Sequence, residues 1–431
     1  MSTETFESAA LIEPPRAISR YNMATGVIDG IGWPLGMAIF STTTLLPEFL
    51  LHLHASYLQI GLMPAIVSLG YFLPGILVAS FISRLEYVRT YLVAVGLVER
   101  IPLFIAPALI YLVGNHRPGL LLILFYGALL AHSLATGFNQ PSYWSLIGKL
   151  IPANWRGRMY GAAGLVGGLL GLGVGPVTHF LLARAPAGSL TGYANCFFLA
   201  ATIILLSFLP FIWLREHPSE RSSKSDMHAG HYGRDLVRVW RADAGFRRLI
   251  WAQTAVAAWS CVAPFFVPAA HGRWQVDSRE VALYATVNVV ALAFGNLIWG
   301  HWADRKGNRR VLITSSAVLI IGTVLSLAPI SAAAYAFVFV LTALGNGGLN
   351  IAGYNMALEF APSEADMPFF MATLNFVTGL VRMAAPLVGG LIATSFGFGP
   401  LFALGSAFAV GALVATLCLP EPRRRRSSET G

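Results

Sequence analysis

The sequence predicts an all-α polytopic membrane protein of about twelve transmembrane helices, arranged as two pseudo-symmetric six-helix halves. Three observations predict it: a charged fraction of only 11% over 431 residues, a dozen apolar runs of bilayer length, and an internal repeat relating the second half to the first. A soluble chain carries about 25% charged residues because its surface faces water. Here most of the surface must face another solvent, and lipid is the one that fits.

A helix needs about 20 apolar residues to cross the roughly 30 Å hydrocarbon layer. The runs fall at 22–46, 56–82, 90–113, 118–147, 158–184, 192–214, 247–270, 279–302, 310–329, 333–358, 368–395 and 398–419. Several contain Gly or Pro, which membrane helices tolerate because neighbouring groups re-satisfy the freed backbone. Runs five and eleven are rich in small residues, which permits close helix approach. Residues 1–21, with Glu4, Glu7, Glu13, Pro14 and Pro15, lack the basic and apolar regions of a signal peptide and read as a polar tail. The chain then divides into a first half at 22–214, a central loop at 215–246, a second half at 247–419 and a basic tail at 420–431. Within the loop, Arg234, Arg238 and Arg241 alternate with Leu236, Val239 and Trp240 as in a short helix lying on the membrane surface.

Basic residues orient this map. Placing both termini and the even-numbered loops in the cytoplasm puts 23 Lys and Arg there, against Arg117, Arg184, Arg273 and Arg279 outside. That asymmetry obeys the positive-inside rule. The net charge of +9 is therefore a topology signal, and nucleic acid is not an expected partner. The partners expected are the lipid bilayer and a small molecule, with one chain sufficient as a monomer. Cys196, Cys261 and Cys418 lie in apolar runs without metal or disulfide spacing, and His217, His228 and His231 lack a ligand frame. No metal, cofactor or enzymatic chemistry is expected.

The repeat shows as matched residues. A shift of 210 places Pro152 on Pro362, Ala162 on Ala372 and Pro176 on Pro386, and a shift of 221 places Arg84 on Arg305 and Arg89 on Arg310. After run eight the chain reads Gly300, three residues, Asp304, Arg305, Lys306, Gly307, Asn308, Arg309, Arg310. This resembles the Gly-x-x-x-Asp-Arg-x-Gly-Arg-Arg loop of the major facilitator superfamily, with Asn308 in place of a basic residue. Asn139-Gln140-Pro141, Pro152 and Arg156-Gly157-Arg158 are similar to the family's stretch between helices 4 and 5.

The resemblance covers nearly the whole chain and implies a transporter of a small organic solute working by alternating access. Gly171-x-Gly173-x-Gly175-Pro176 is similar to a motif of proton-coupled antiporters, although His179, Phe180 and Ala162 depart from it. It implies proton-coupled efflux; uptake or exchange of an organic anion held by Arg382 is the alternative, and a membrane-embedded enzyme or receptor is the third reading. The resemblance also implies a cytoplasmic gate in which helix 5 meets helix 8 and helix 2 meets helix 11. Asp304 would then pair with Arg156 or Arg158, and Asp366 with Arg84 or Arg89. Gly300, Arg305, Gly307 and Arg309 would complete that gate, and Ser83 stands where the first half's acid is expected.

Intramembrane charge is costly, by about 2.5–3.5 kcal/mol even on lenient scales. Asp29, Glu99, Arg100 and Arg382 carry it. At about 1.5 Å per residue, Asp29 lies roughly 10 Å from the cytoplasmic side, Arg100 roughly 15 Å and Arg382 roughly 21 Å. Asp29 and Arg100 are expected to form a structural pair. Glu99 and Arg100 are adjacent and do not face each other on a helix. Arg382 has no counterpart and is expected to meet the solute or a coupling group. By resemblance to the family's cavity-lining helices, Trp33, His132, Gln140, Gln253, Trp259, Asn288, Asn346, Asn350 and Asn375 are further candidates. His132 and His179 could carry protons, because imidazole titrates near physiological pH.

Overall fold

The structure is a computed structural model, and it describes residues 16–82, 84–114, 116–186, 188–218, 244–328, 330–360 and 367–420. Ser83, Asp366, Pro362, the surface helix expected around Arg234–Arg241, and the basic tail lie outside the described residues.

Among the described residues, fifteen α-helices make twelve spans. Span 1 is α1 (Arg16–Ile39) with α2 (Leu45–His52), span 2 is α3 (Tyr57–Ile82), span 3 is α4 (Val88–Val113) and span 4 is α5 (Pro118–Leu150). Span 5 is α6 (Ala153–Gly171) with α7 (Val174–Ala183), and span 6 is α8 (Thr191–Phe208), closed by a 3₁₀ turn. Span 7 is α9 (Ala244–Trp259), a 3₁₀ turn, and α10 (Phe266–Trp274). Spans 8 to 12 are α11 (Ser278–Lys306), α12 (Asn308–Leu325), α13 (Ala336–Phe360), α14 (Met367–Phe396) and α15 (Phe398–Leu417). Eleven spans are long and apolar enough to cross a membrane by composition alone. Span 1 is the exception and is held by packing on spans 5 and 6.

Local chemistry explains the breaks. Spans 1 and 7 are each interrupted. In span 1 the run Ser41-Thr42-Thr43-Thr44 offers hydroxyls that compete with backbone bonding, and Ser41 Oγ accepts from Thr43 N at 3.3 Å. In span 7, Pro264 lies within the turn and Pro268 in the first turn of the helix that follows. Gly307 sits at φ 86°, a backbone that suits glycine, and it turns the chain between spans 8 and 9. Two sequence expectations change. Residues 16–21, read as tail, belong to the first helix, and span 1 runs past 46 to His52. Charge at Glu48 hid that extension.

The halves repeat each other in packing. Span 1 packs on 5 and 6, 2 on 4, and 3 on 4 and 6; six places on, 7 packs on 11 and 12, 8 on 10, and 9 on 10 and 12. Between the halves, span 2 meets span 11 and span 5 meets span 8. Twelve crossings return the chain to one face, the terminal face, which carries 84–87, 151–152, 214–218 and 307. The distal face carries 53–56, 184–190, 275–277 and 397. The outer surface is apolar, with Leu112 76% and Ile123 70% exposed, as a lipid-facing wall requires.

Contacts joining the halves lie toward the distal face. A side chain at Gly61 would strike the Pro386 carbonyl, and one at Gly390 the Tyr57 carbonyl at 2.6 Å. Tyr57 and Phe398 rings meet at 5.0 Å. On span 5, a Cβ at Gly171 would lie 2.7 Å from Val289 and one at Gly168 would lie 2.9 Å from Ala293. At Gly164, Gly161 and Gly157, lower on the same face, and at Gly300 of span 8, a Cβ would meet nothing within 4 Å. Spans 5 and 8 therefore touch distally and part toward the terminal face.

Candidate functional site

Two polar groups sit inside the bundle, one in each half. The first gathers Asp29, Glu99, Arg100, His132 and Asn139, all at most 7% exposed. Span 1 brings Asp29, span 3 brings Glu99 and Arg100, and span 4 brings His132 and Asn139. Arg100 Nη2 lies 3.9 Å from Asp29 Oδ1, and its Nη1 lies 3.3 Å from Glu99 Oε2. Arg100 also donates to the Gly96 carbonyl at 2.7 Å and to the Ile204 carbonyl at 3.3 Å. Its guanidinium lies 3.6 Å over the Phe208 ring and 5.5 Å from that of Trp33, positions in which an aromatic face attracts a cation. Asn139 donates to Glu99 Oε2 at 2.7 Å, His132 Nδ1 bonds the Glu99 carbonyl at 2.9 Å, and His132 stacks on Trp33 at 6.1 Å.

The expected Asp29–Arg100 contact is present, but Arg100 is not Asp29's alone. Adjacent helix positions do diverge, yet the long arginine stem lets the guanidinium swing back onto Glu99. Two carboxylates thus share one guanidinium. Asp29 is the weaker-held of the two, since its Oδ1 is buried without a hydrogen bond.

The second group is Arg382 of span 11 with Asn350 and Asn346 of span 10. Arg382 Nη2 donates to Asn350 Oδ1 at 2.7 Å, and Asn350 Nδ2 donates to the Asn346 carbonyl at 2.8 Å. Ser68 Oγ of span 2 reaches the Arg382 carbonyl at 3.5 Å. All three members are half-buried. Among the described residues no carboxylate lies within ion-pair distance of Arg382. Three candidates that the sequence could only name separately thus form one chain of bonds.

Other candidates go elsewhere. Gln253 is 4% exposed and donates to the Leu349 carbonyl at 2.9 Å, tying span 7 to span 10. Trp259 Nε1 donates to Thr323 Oγ1 at 2.8 Å. Both are spent on packing the second half. His179 bonds Ser278 Oγ at 3.3 Å, far from either group. Gln140, Asn288 and Asn375 are half-buried and belong to neither group.

On the terminal face, Arg156 binds carbonyls that end span 4, Ile151 at 3.0 Å and Gly148 at 2.5 Å. Arg89 donates to the Leu214 carbonyl at 2.8 Å. Glu216 joins this corner: it accepts from the Val88 and Arg89 amides at 2.9 and 2.8 Å and pairs with Lys149 at 2.8 Å. Arg309 donates to the Leu417 carbonyl at 2.8 Å. Asn308, which replaces a basic residue of the loop pattern, is fully buried and donates to Glu359 at 2.9 Å. Arg84, Arg158, Asp304 and Arg305 are exposed and Gly300 is half-buried.

One buried charge was missed. Glu48 on α2 is 2% exposed. Its Oε2 lies 2.5 Å from His271 Nε2 of the other half, and its Oε1 lies 3.6 Å from His52 Nδ1. The signal was an acid four residues before a histidine in Leu45-Leu46-Pro47-Glu48-Phe49-Leu50-Leu51-His52, a segment otherwise wholly apolar.

Comparison with known proteins places this geometry. Residues 252–431 match the family model of the Major Facilitator Superfamily. A Bacillus subtilis (strain 168) protein named "Putative niacin/nicotinamide transporter NiaP" is 25% identical over 164 residues, which span 38% of this chain and 40% of that protein. A D-xylose-proton symporter structure superposes with TM-score 0.67 at 16% identity, covering 94% of this chain and 98% of its own. A bacterial homologue of the human lysosomal transporter Spinster superposes with TM-score 0.65 at 16% identity, over 94% and 95%. The family model matches the second half, residues 252–431, and the chain shares the fold of these solved transporters through both halves.

Proposed function

We propose that the chain is a secondary transporter that moves a small organic anion by alternating access, coupled to protons. The observation that carries this reading is the pair of unlike charge centres. The first half holds two carboxylates on one guanidinium, a surplus of negative charge with an unbonded Asp29 oxygen. A buried surplus carboxylate is expensive unless it binds a proton, which makes Asp29 the coupling site. The second half holds a guanidinium that bonds a neutral amide and, among the described residues, no carboxylate, and a planar fork of this kind suits a carboxylate. A relative named for niacin and nicotinamide, a small aromatic carboxylate and its neutral amide, fits a solute of this size. The efflux reading leaned on the glycine–proline segment of span 5, but there Gly175 serves close packing on Ala282 and Thr286, so the anion reading is preferred.

The test is flux of labelled small carboxylates in proteoliposomes with and without a pH gradient. Arg382→Gln should leave folded yield intact and lower flux by about ten- to a hundredfold, the worth of a lost charged hydrogen bond of about 1.5–3 kcal/mol. Normal flux in that variant would remove Arg382 from the site. The terminal face is assigned to the cytoplasm by the distribution of basic residues. Cysteine introduced at Arg117 or Arg273 should accept an impermeant label from outside intact cells. Cysteine at Arg423 should label only after permeabilisation, and the reverse pattern would invert the assignment.

A further inference from the structure

Span 1 and span 7 occupy equivalent places in the two halves, and each is broken so that a short outer helix, α2 or α10, stands free of its longer partner. These two outer helices meet across the halves. Their contact is the Glu48–His271 pair at 2.5 Å. Glu48 is almost wholly enclosed, while the His271 side chain is 27% exposed. Both line a distal-face cavity of about 520 Å³, together with His52, His54, Tyr193 and Asp277. The carboxylate therefore has no water of its own and the imidazole has access to the outside solution. Facing Glu48 are His52 of its own helix, His271 of α10 and Tyr193 of span 6, whose hydroxyl bonds the Glu48 carboxylate directly and lies 3.1 Å from His52 Nδ1. His54 and Asp277 complete the titratable groups of the cavity.

We propose that Glu48 and His271 form an external proton-binding site, a latch that holds span 1 to span 7 while His271 is protonated and releases them when it is not. The site is separate from the Asp29 group, and naming its side as external rests on the transport reading. An enclosed carboxylate left beside a neutral imidazole loses its counter-charge, and a buried unpaired charge is strongly disfavoured. Opening the distal face gives Glu48 water instead. The sign follows. The closed form binds the extra proton, so closure is favoured in mild acid and lost as pH rises through the range in which imidazole titrates. External acid would then hold the transporter open only toward the cytoplasm, and an alkaline exterior would expose the binding groups outward.

Spin labels at cysteines replacing Arg117 and Arg279, exposed distal positions in opposite halves, read the distance between the halves in the purified full chain with Cys418→Ser. No solute is needed. The expected result is a short distance at about pH 5 and a longer population at about pH 8, larger by about tenfold, within the usual range of coupling between two sites. Glu48→Gln should flatten the response. His271→Lys, with a permanent cation, should stay short at both pH values and guards against a misfolding artefact in the first variant. The proposal is overturned if the parent shows no pH response, if His271→Lys opens in alkali, or if folded Glu48→Gln responds in full. A pH-dependent distance without anion flux would sink the transport reading alone. Anion flux with a pH-independent distance would sink the latch alone.

Discussion

Arg100→Gln should strip the membrane of folded protein, whereas Asp29→Asn should leave it folded and uncouple it from protons. The difference comes from stoichiometry. Arg100 is 3% exposed and serves Asp29 at 3.9 Å and Glu99 at 3.3 Å. Removing it leaves two carboxylates in a low-dielectric interior, Glu99 with only the Asn139 amide and Asp29 with only the Tyr143 hydroxyl among the described side chains. Breaking a buried pair costs about 3–5 kcal/mol, comparable with much of a typical domain's stability of about 5–15 kcal/mol. Removing the Asp29 charge leaves Glu99 on Arg100, a balanced pair still bonded by Asn139 at 2.7 Å. Folded yield, read by detergent size-exclusion chromatography, should fall severely for Arg100→Gln and stay near the parent's for Asp29→Asn. In proteoliposomes Asp29→Asn should still exchange labelled anion at equal pH on both sides. It should lose the extra uptake or extrusion that a pH gradient drives. A severe loss of folded Asp29→Asn would make Asp29 structural, the role its simple pairing with Arg100 first suggested.

Much of this was legible in the sequence, and what was not has physical reasons. Eleven of the twelve spans satisfy the bilayer by themselves, so hydropathy finds them locally, while span 1 leans on spans 5 and 6. Asp29, Arg100 and Arg382 stand out because charge in an apolar run is rare. The share of Arg100 between two acids was invisible, because helix geometry speaks of Cα directions and not of where a long side chain ends. Asn346, Asn350 and Arg382 could be named but not joined, since spans 10 and 11 meet through packing that no local pattern records. Gln253 and Trp259 looked like cavity residues for the same reason. Their partners, the Leu349 carbonyl and Thr323, lie on other spans. Glu48 was lost by its own charge: it ended an apolar run that continues through it because His271, 223 residues away, supplies the partner.

Gly161→Leu should block transport without harming the fold, and Gly175→Leu should do the opposite damage by holding the distal face apart. Positions 157, 161, 164, 168, 171 and 175 are glycine at alternating spacings of four and three, which is one face of a helix. The upper three are buried and the lower ones grade to exposed. Gly175 seats against Ala282 and Thr286, Gly171 against Val289 and Gly168 against Ala293. Each turn back along span 5 advances one turn along span 8. Continued, that register sets Gly164 opposite Leu297, Gly161 opposite Gly300 and Gly157 opposite Asp304. None of these pairs is in contact now, and a Cβ at Gly161 or Gly300 would stand in open space. They are the surfaces that would meet when the terminal face closes. The same closure would carry Asp304 between Arg156 and Arg158, the inter-half pairing expected of the gate. A leucine at Gly161 costs nothing in the present state and favours the helix by up to about 1 kcal/mol. In the closed state it overpacks by about 1–3 kcal/mol, which is roughly a five- to 150-fold loss of that population. Flux should fall by a similar factor while folded yield holds. A Gly161→Cys, Gly300→Cys pair supplies the direct reading, because a disulfide needs Cα atoms about 4.4–6.8 Å apart. It should form only as the transporter cycles, stop flux when formed, and release it on reduction. Failure to cross-link in an actively transporting, fully folded double variant would mean that spans 5 and 8 close in another register.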